Sequence, residues 1–409
     1  MVMQKSHKIV FWSSLLFLLF LFFLAGCAAR IEKPIKPVGP LVLIDIDDFP
    51  SFIDDLDQKT LELAIGRSLQ YYDRLPEGRT FHFGKSLYTV RELKESLLKF
   101  LEIIRNSSSD EIREKRIRDT FHVYKSVGRG KNEKVLFTGY YEPLLEGSLE
   151  RTSRYRYPIY RKPNDSMVIN LGRFRDKFKG ERIIARLENG EIVPYHSRED
   201  IDERGYLKGR NLEIAWFADP VDVFFLHIQG SGIISLPDGS YVQVSYSMSN
   251  GRPYRSVGKL LINMGRISME DVSLNSIKKY LKEHPEEMSD TLNYNESYVF
   301  FRFVEKGPVG CLGVPVTSGR SIATDSNLFP KGALAFIKTR KPLLDRDGNI
   351  KSWVFFSRFV LNQDTGGAIK GPGRVDLFCG RGKEAEIMAG SLKEEGELYF
   401  LIKKKSNSG

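Results

Sequence analysis

Gln363–Gly380, QDTGGAIKGPGRVDLFCG, sets one aspartate at each end of a glycine-rich run. Asp364 opens the run. Asp376 closes it inside Val375-Asp-Leu377-Phe378, a short apolar stretch of strand-like composition. Gly366, Gly367, Gly371 and Gly373 lie between them; such residues reach backbone conformations closed to others and admit close approach of another segment. A carboxylate that a fold draws into apolar surroundings keeps its proton near neutral pH, as a general acid must. Taken alone, the segment is open to metal, phosphate or acid–base explanations.

The rest of the chain narrows these. Gly366-Gly-Ala-Ile-Lys370 lacks both the spacing of a phosphate loop and the Ser or Thr that should follow its lysine. His7, His82, His122, His196, His227 and His284 show no HxxxH or HExxH spacing, so a zinc site is not expected; no organic cofactor is implied either. His227, inside Phe225-Leu-His-Ile228, reads as a packed core histidine. No GxSxG elbow is present, and Cys379 has no histidine near it in sequence, so serine and cysteine nucleophiles are unsupported. Acid–base work by the aspartates remains.

Lys5 and Lys8 precede an apolar run from Ile9 to Ala25, which Leu24-Ala-Gly-Cys27 closes. This is the order of a secretory signal over residues 1–26, and the tetrapeptide looks like a bacterial lipobox with Cys27 as the acylated residue. A retained membrane-spanning helix is the alternative, because the run approaches spanning length. More than one acyl chain makes attachment stable. Ala28 after the cysteine fits outer-membrane sorting in a Gram-negative envelope, facing the periplasm. Residues 27–40, with Pro34, Pro37 and Pro40, read as a lipidated tether.

A chain of 409 residues has room for two or more domains. Its formal net charge of +10 falls to about +8 once Lys5 and Lys8 leave. That surplus suits an anionic polymer. Nucleic acid is not expected, since no helix-turn-helix, zinc-finger or ribonucleoprotein pattern is present and the chain is exported. Cys311 and Cys379 remain after lipidation; pairing and two free thiols are both open.

Two amphipathic helices are expected, one carrying Leu61, Ile65, Leu69 and Tyr72, the other Leu93, Leu97, Leu101 and Ile104. The second opens on the capping-box pattern Thr89-Val-Arg-Glu92. A third helix is expected from Glu111 to Phe121. Asp219-Pro220 reads as the start of a helix to Ile228 or of a buried strand. Pro237-Asp-Gly239 reads as a hairpin turn, as does Asp345-Arg-Asp-Gly348. Helical periodicity returns at Val257–Gly265 and Ser276–Lys282. Strands are expected at Tyr298–Phe303, Ala333–Lys338, Trp353–Leu361, Val375–Phe378 and Leu398–Lys403.

The Gln363–Gly380 segment resembles the three-aspartate domain of the membrane-bound lytic murein transglycosylase A family. Phe137-Thr-Gly-Tyr-Tyr-Glu-Pro143, Tyr157-Pro-Ile-Tyr-Arg161, Ile228-Gln-Gly-Ser-Gly232, Tyr254-Arg-Ser-Val-Gly-Lys259 and Gly319-Arg-Ser-Ile-Ala323 resemble further blocks of that family, in its order. The resemblance implies a mainly β fold with peripheral helices (α+β). Its parts are a six-stranded double-psi β-barrel made from two chain segments, an inserted β-rich domain, and a glycan groove between them. It divides the chain into 41–140, a helical region with the first part of the barrel; 141–255, the insertion; and 256–409, the rest of the barrel, with the three-aspartate region at about 297–403.

It further implies cleavage of the β-1,4 bond between N-acetylmuramic acid and N-acetylglucosamine, with the muramyl C6 hydroxyl closing onto C1 to leave a 1,6-anhydro ring. One carboxyl suffices for that chemistry, and the match assigns it to Asp376. Asp364 is the second catalytic aspartate, a source of electrostatic support, and Asp325 is the third of the pattern; each is equally a turn-former by composition. Thr138, Gly139, Tyr140, Gln229, Gly230 and Ser231 match groove-lining blocks, though Tyr140 also suits a core and Gly-Ser-Gly an ordinary turn. Lys370 suits a muramyl carboxylate. Some family members have one residue fewer between the aspartates; here the extra one falls in Pro372-Gly373. Expected partners are peptidoglycan strands, the membrane through Cys27, and cell-wall synthesis or scaffold proteins. The competing readings are a water-using, muramidase-like hydrolase and a non-catalytic peptidoglycan-binding lipoprotein.

Overall fold

The computed structural model describes residues 39–130, 133–305, 307–345 and 349–405. The signal segment, Cys27 and nearly all of the tether lie outside the described residues. The fold is mainly β with peripheral helices, as expected. Six strands close on themselves: Val135–Glu142, Lys393–Lys403, Leu334–Leu344, Ile350–Asp364, Ser321–Ala323 and Arg374–Arg381 pair in that order, and the last pairs back onto the first. The barrel therefore draws on two separated stretches of chain. Strands Leu41–Leu43 and Phe121–Ser126 extend it sideways from Lys393–Lys403.

Side-chain alternation explains why this sequence makes a wall. Phe137, Val375 and Leu377 turn into the barrel and are buried. Their neighbours Thr138 and Asp376 fall on the other face. Helices Gln58–Tyr72 and Val90–Arg105 lay their apolar stripes on the barrel core, with Ile65, Leu97 and Phe100 in one cluster with Phe336 and Phe359. Each such burial is worth about 1.5–3 kcal/mol. The Thr89–Glu92 capping box forms as read, and the helix Asp110–Thr120 follows.

The second β unit is a six-stranded sheet in the order Val299–Val304, Tyr241–Ser249, Ser231–Ser235, Leu144–Ser148, Glu213–Phe217, Tyr157–Tyr160. It draws its edge strand Val299–Val304 from beyond Arg255. Three more strands, Glu191–Pro194, Arg182–Glu188 and Met167–Asn170, form a separate small sheet. The Pro237 turn joins an antiparallel pair as read. Strands Leu334–Leu344 and Ile350–Asp364 also pair as a hairpin, though residues 346–348 of its turn lie outside the described residues.

Pro220–Gln229 resolves as a helix, because Asp219 accepts from Val221 N and Gly230 ends it at φ 76°. His227 is buried on that helix, with Arg198 Nη1 3.0 Å from its Nδ1. Burial first, and then the Arg198 charge, hold its imidazole well below the usual value. The ring is thus neutral and accepts from Arg198.

Candidate active site

Sheet register builds the site. Ala323 pairs with Asp364 on one side and with Asp376 on the other, and Asp376 pairs in turn with Thr138. Two carboxylates and a hydroxyl thereby share one row across the barrel wall. The small Ala323 side chain is what separates the acids. The closed segment between the two aspartates, read in sequence only as glycine-rich, returns the chain so that both strands can flank Ser321–Ala323.

Asp376 accepts a hydrogen bond from Thr138 Oγ1, and Arg374 Nε lies 3.5 Å from the same oxygen, Oδ1. Its side chain keeps 16% exposure. Burial pushes its pKa up, while the Arg374 charge and the Thr138 hydrogen bond oppose the rise. Asp364 Oδ1 accepts from Cys311 N at 2.9 Å and Thr365 N at 2.9 Å, and Oδ2 accepts from Tyr140 Oη at 2.9 Å. Burial pushes Asp364 up to about 6, with Asp376 adding to the rise and these three donors resisting it. Tyr140 is raised well above a free phenol by burial and by Asp364, so it remains an O–H donor.

The other candidates are placed as follows. Gly139 lies under helix Lys383–Ser391, where an added Cβ would stand 2.7 Å from Ala389 Cα. Asp325 is buried and stands apart from the pair: Oδ1 accepts from Asn327 N at 3.1 Å and Oδ2 from Gly371 N at 2.9 Å. It folds its own turn and pins the glycine-rich loop. Lys370 is exposed on that loop. Gln229 Oε1 accepts from Tyr141 N at 3.1 Å, Gly230 caps its helix, and Ser231 pairs with Ser245. Of these, Gln229 ties its helix end to the Val135–Glu142 strand.

Tyr254 was not among the site residues read from sequence. It is half-buried, a Cβ on Gly367 would meet its own Cβ at 3.9 Å, and its phenol feels the charges of Arg374 and Asp376. Its block was visible, but nothing local marks which residue of it faces the acids. Cys311 and Cys379 are both free thiols. Among the described residues no cluster of three or more His, Cys, Asp or Glu could hold a metal ion.

The fold and site define a β-barrel protein with an added β-sheet, whose barrel wall carries a half-buried pair of strand-borne carboxylates suited to proton transfer. Residues 136–302 match the family model of the MltA specific insert domain, and residues 320–402 match the 3D domain. Thr138 and Tyr140 come from the first match and the three aspartates from the second. The membrane-bound lytic murein transglycosylase A of Escherichia coli K12 is 32% identical over 281 residues, 68% of this chain and 68% of that protein. A crystal structure of the membrane-bound lytic murein transglycosylase from Agrobacterium tumefaciens superposes with a TM-score of 0.71 at 30% identity, covering 89% of this chain and 97% of that one. That of Escherichia coli MltA with bound chitohexaose gives 0.67 at 24% identity over 91% and 98%, a likeness of fold. This chain belongs to the membrane-bound lytic murein transglycosylase A family.

Proposed function

We propose that this protein is a peptidoglycan lytic exotransglycosylase in which Asp376 is the single general acid and base. Protonated Asp376 donates to the glycosidic oxygen as the bond from C1 of N-acetylmuramic acid breaks. The C6 hydroxyl of the same sugar then bonds to C1 and passes its proton to the Asp376 carboxylate. No water is consumed, and the acid ends protonated as it began.

The observation that carries this reading is the unequal engagement of the two carboxyls. Asp364 has three protein donors on its two oxygens and is poorly placed to activate a water or act as a nucleophile. Asp376 is raised by burial yet still reachable. A conventional glycosidase needs both groups at work; this wall offers one. Thr138 orients the acid and Tyr140 holds Asp364, while burial is what favours the protonated form of Asp376. Gly139, Gln229, Gly230, Ser231 and Lys370 belong to the glycan groove or its support in this reading.

Residues 1–26 act as a lipoprotein signal and Cys27 as the acylated anchor of an outer-membrane protein facing the periplasm, with the insertion between the two parts of the barrel running from about residue 141 past Arg255 to the strand Val299–Val304. The test is Asp376→Asn assayed on purified sacculi with mass analysis of products. The parent should release fragments without added water, and the variant should lose at least about a hundredfold in rate. Hydrated products, or lysis by the variant at the parent rate, would sink the mechanism.

A further inference from the structure

The strand that carries Asp376 ends at a second concavity. A cavity of about 520 Å³ is lined by Arg67, Ser318, Arg381 and Glu384, with Leu63 and Met388 among its apolar walls. Its lining runs from two to five residues beyond Asp376 along the strand, from Phe378 to Arg381, about 7–17 Å at strand rise. The loop of residues 307–318 contributes to its wall and also carries Cys311, whose N–H holds Asp364.

Its charges are unusual. Arg67 Nη1 donates to Val316 O at 2.9 Å and Thr317 Oγ1 at 2.6 Å. Among the described residues its Nε and Nη2 have no protein acceptor and no acid pairs with it. A half-buried guanidinium without a counter-ion is a ready receptor for a carboxylate, which its planar donors can grip in two places. Glu384, exposed on the same cavity, offers the opposite sign. Arg381 is partly neutralised by Glu142, 3.2 Å away. A ligand fitting this set carries both a carboxylate and an amine on a short apolar backbone.

We propose that this cavity binds the peptide stem of the glycan strand, its carboxylate on Arg67 and its amine on Glu384. The proposal rests on the lytic reading above and adds a preference to it: strands bearing peptides bind better than strands stripped of them.

The test measures KM and kcat on peptide-bearing strands and on the same strands freed of peptide by an amidase. Arg67→Met should raise KM about tenfold on the first substrate and leave the second unchanged, with kcat held. Arg67→Lys should recover part of the loss. Equal KM changes on both substrates, or none on either, overturn the proposal. Direct binding is read by calorimetry with the tripeptide L-Ala-γ-D-Glu-meso-diaminopimelate on the Asp376→Asn chain, where no turnover occurs. Saturable binding that Arg67→Met abolishes supports the site, and no binding to the unsubstituted cavity removes it. Should Arg67→Met not fold, Glu384→Gln takes its place, with weaker tripeptide binding expected and unchanged binding counting against. If neither strand is cleaved by the parent, the lytic reading fails, while the calorimetry still reports on the cavity.

Discussion

Thr138 Oγ1 donates to Asp376 Oδ1 across a parallel register that makes the two residues direct partners, although 238 positions separate them in the chain. Arg374 Nη2 also lies 3.3 Å from that hydroxyl, so acid, hydroxyl and guanidinium form one small network. A hydrogen bond to a carboxylate favours its charged form.

Thr138→Val, close in shape, therefore has a signed consequence. Loss of the donor lets burial dominate, and the Asp376 pKa rises further above its ordinary value. The alkaline limb of the kcat–pH profile should move to higher pH, while kcat at the optimum falls roughly tenfold from lost orientation. A profile with both limbs unmoved would show that the hydroxyl does not tune the acid.

Asp364 makes a prediction about stability. Its folded pKa, about 6, lies above the ordinary aspartate value of 3.8. The folded protein therefore holds this proton more tightly than the unfolded chain. The resulting stabilisation is complete below pH 3.8 and is lost as pH rises through 6. Asp364→Asn cannot titrate. Relative to the parent, its unfolding free energy should improve between pH 4 and pH 7 by up to about 3 kcal/mol, whatever constant offset the lost hydrogen bonds impose. Urea melts of both proteins at the two pH values give the comparison; a pH-independent difference would count against the shifted carboxyl.

How much of this was legible in sequence varied with the range of the interaction. Thr89 and Glu92 stand three residues apart, and their reciprocal cap forms as read. The stripes of Leu61 and Leu97 repeat within single helices and fell where expected. Pro220–Gln229 stayed ambiguous because both periodicities fit a short, wholly apolar run; the cap at Asp219 and the left-handed Gly230 decide it. Asp364 and Asp376 were visible as a pair. That Ala323 would stand between them, and that Thr138 would face Asp376, are facts of register between distant strands, to which local spacing is blind. Asp325, the third aspartate of the pattern and a turn-former by composition, gives its oxygens to backbone N–H groups of its own turn and of Gly371. Asp54, in a region with no recognisable block, holds a buried guanidinium at the start of the strand between the two acids.

That guanidinium belongs to Arg320, whose side chain has 0% exposure. Its Nη1 donates to both Asp54 oxygens, at 2.9 and 2.6 Å, and to Phe359 O, while Nη2 donates to Asp57 O. Asp54→Ala leaves a buried charge without its partner and should cost about 3–5 kcal/mol. Thermal denaturation should show a large fall in Tm. The pair Asp54→Leu with Arg320→Met, which removes both charges, should recover part of it. A double variant as unstable as Asp54→Ala would mean that backbone contacts, rather than charge compensation, hold this corner.

Gly139 separates folding from catalysis at the strand that carries Thr138 and Tyr140. A Cβ there would stand 2.7 Å from Ala389 Cα and 2.9 Å from Cys379 Sγ, closer than real atoms sit. The first neighbour is helix backbone and cannot rotate aside, so either helix Lys383–Ser391 or the strand must shift. Overpacking of this kind costs about 1–3 kcal/mol. The strand is held on one side by Arg374–Arg381 and on the other by Lys393–Lys403, and movement carries Thr138 away from Asp376. Misplacement of a catalytic partner by about 1 Å can cost a hundredfold in rate. Gly139→Ala should therefore remain folded with a lowered Tm, yet lose kcat about ten- to a hundredfold with KM little changed. If instead Tm falls and kcat stays at the parent value, the helix has yielded and the Thr138–Asp376 geometry does not depend on Gly139.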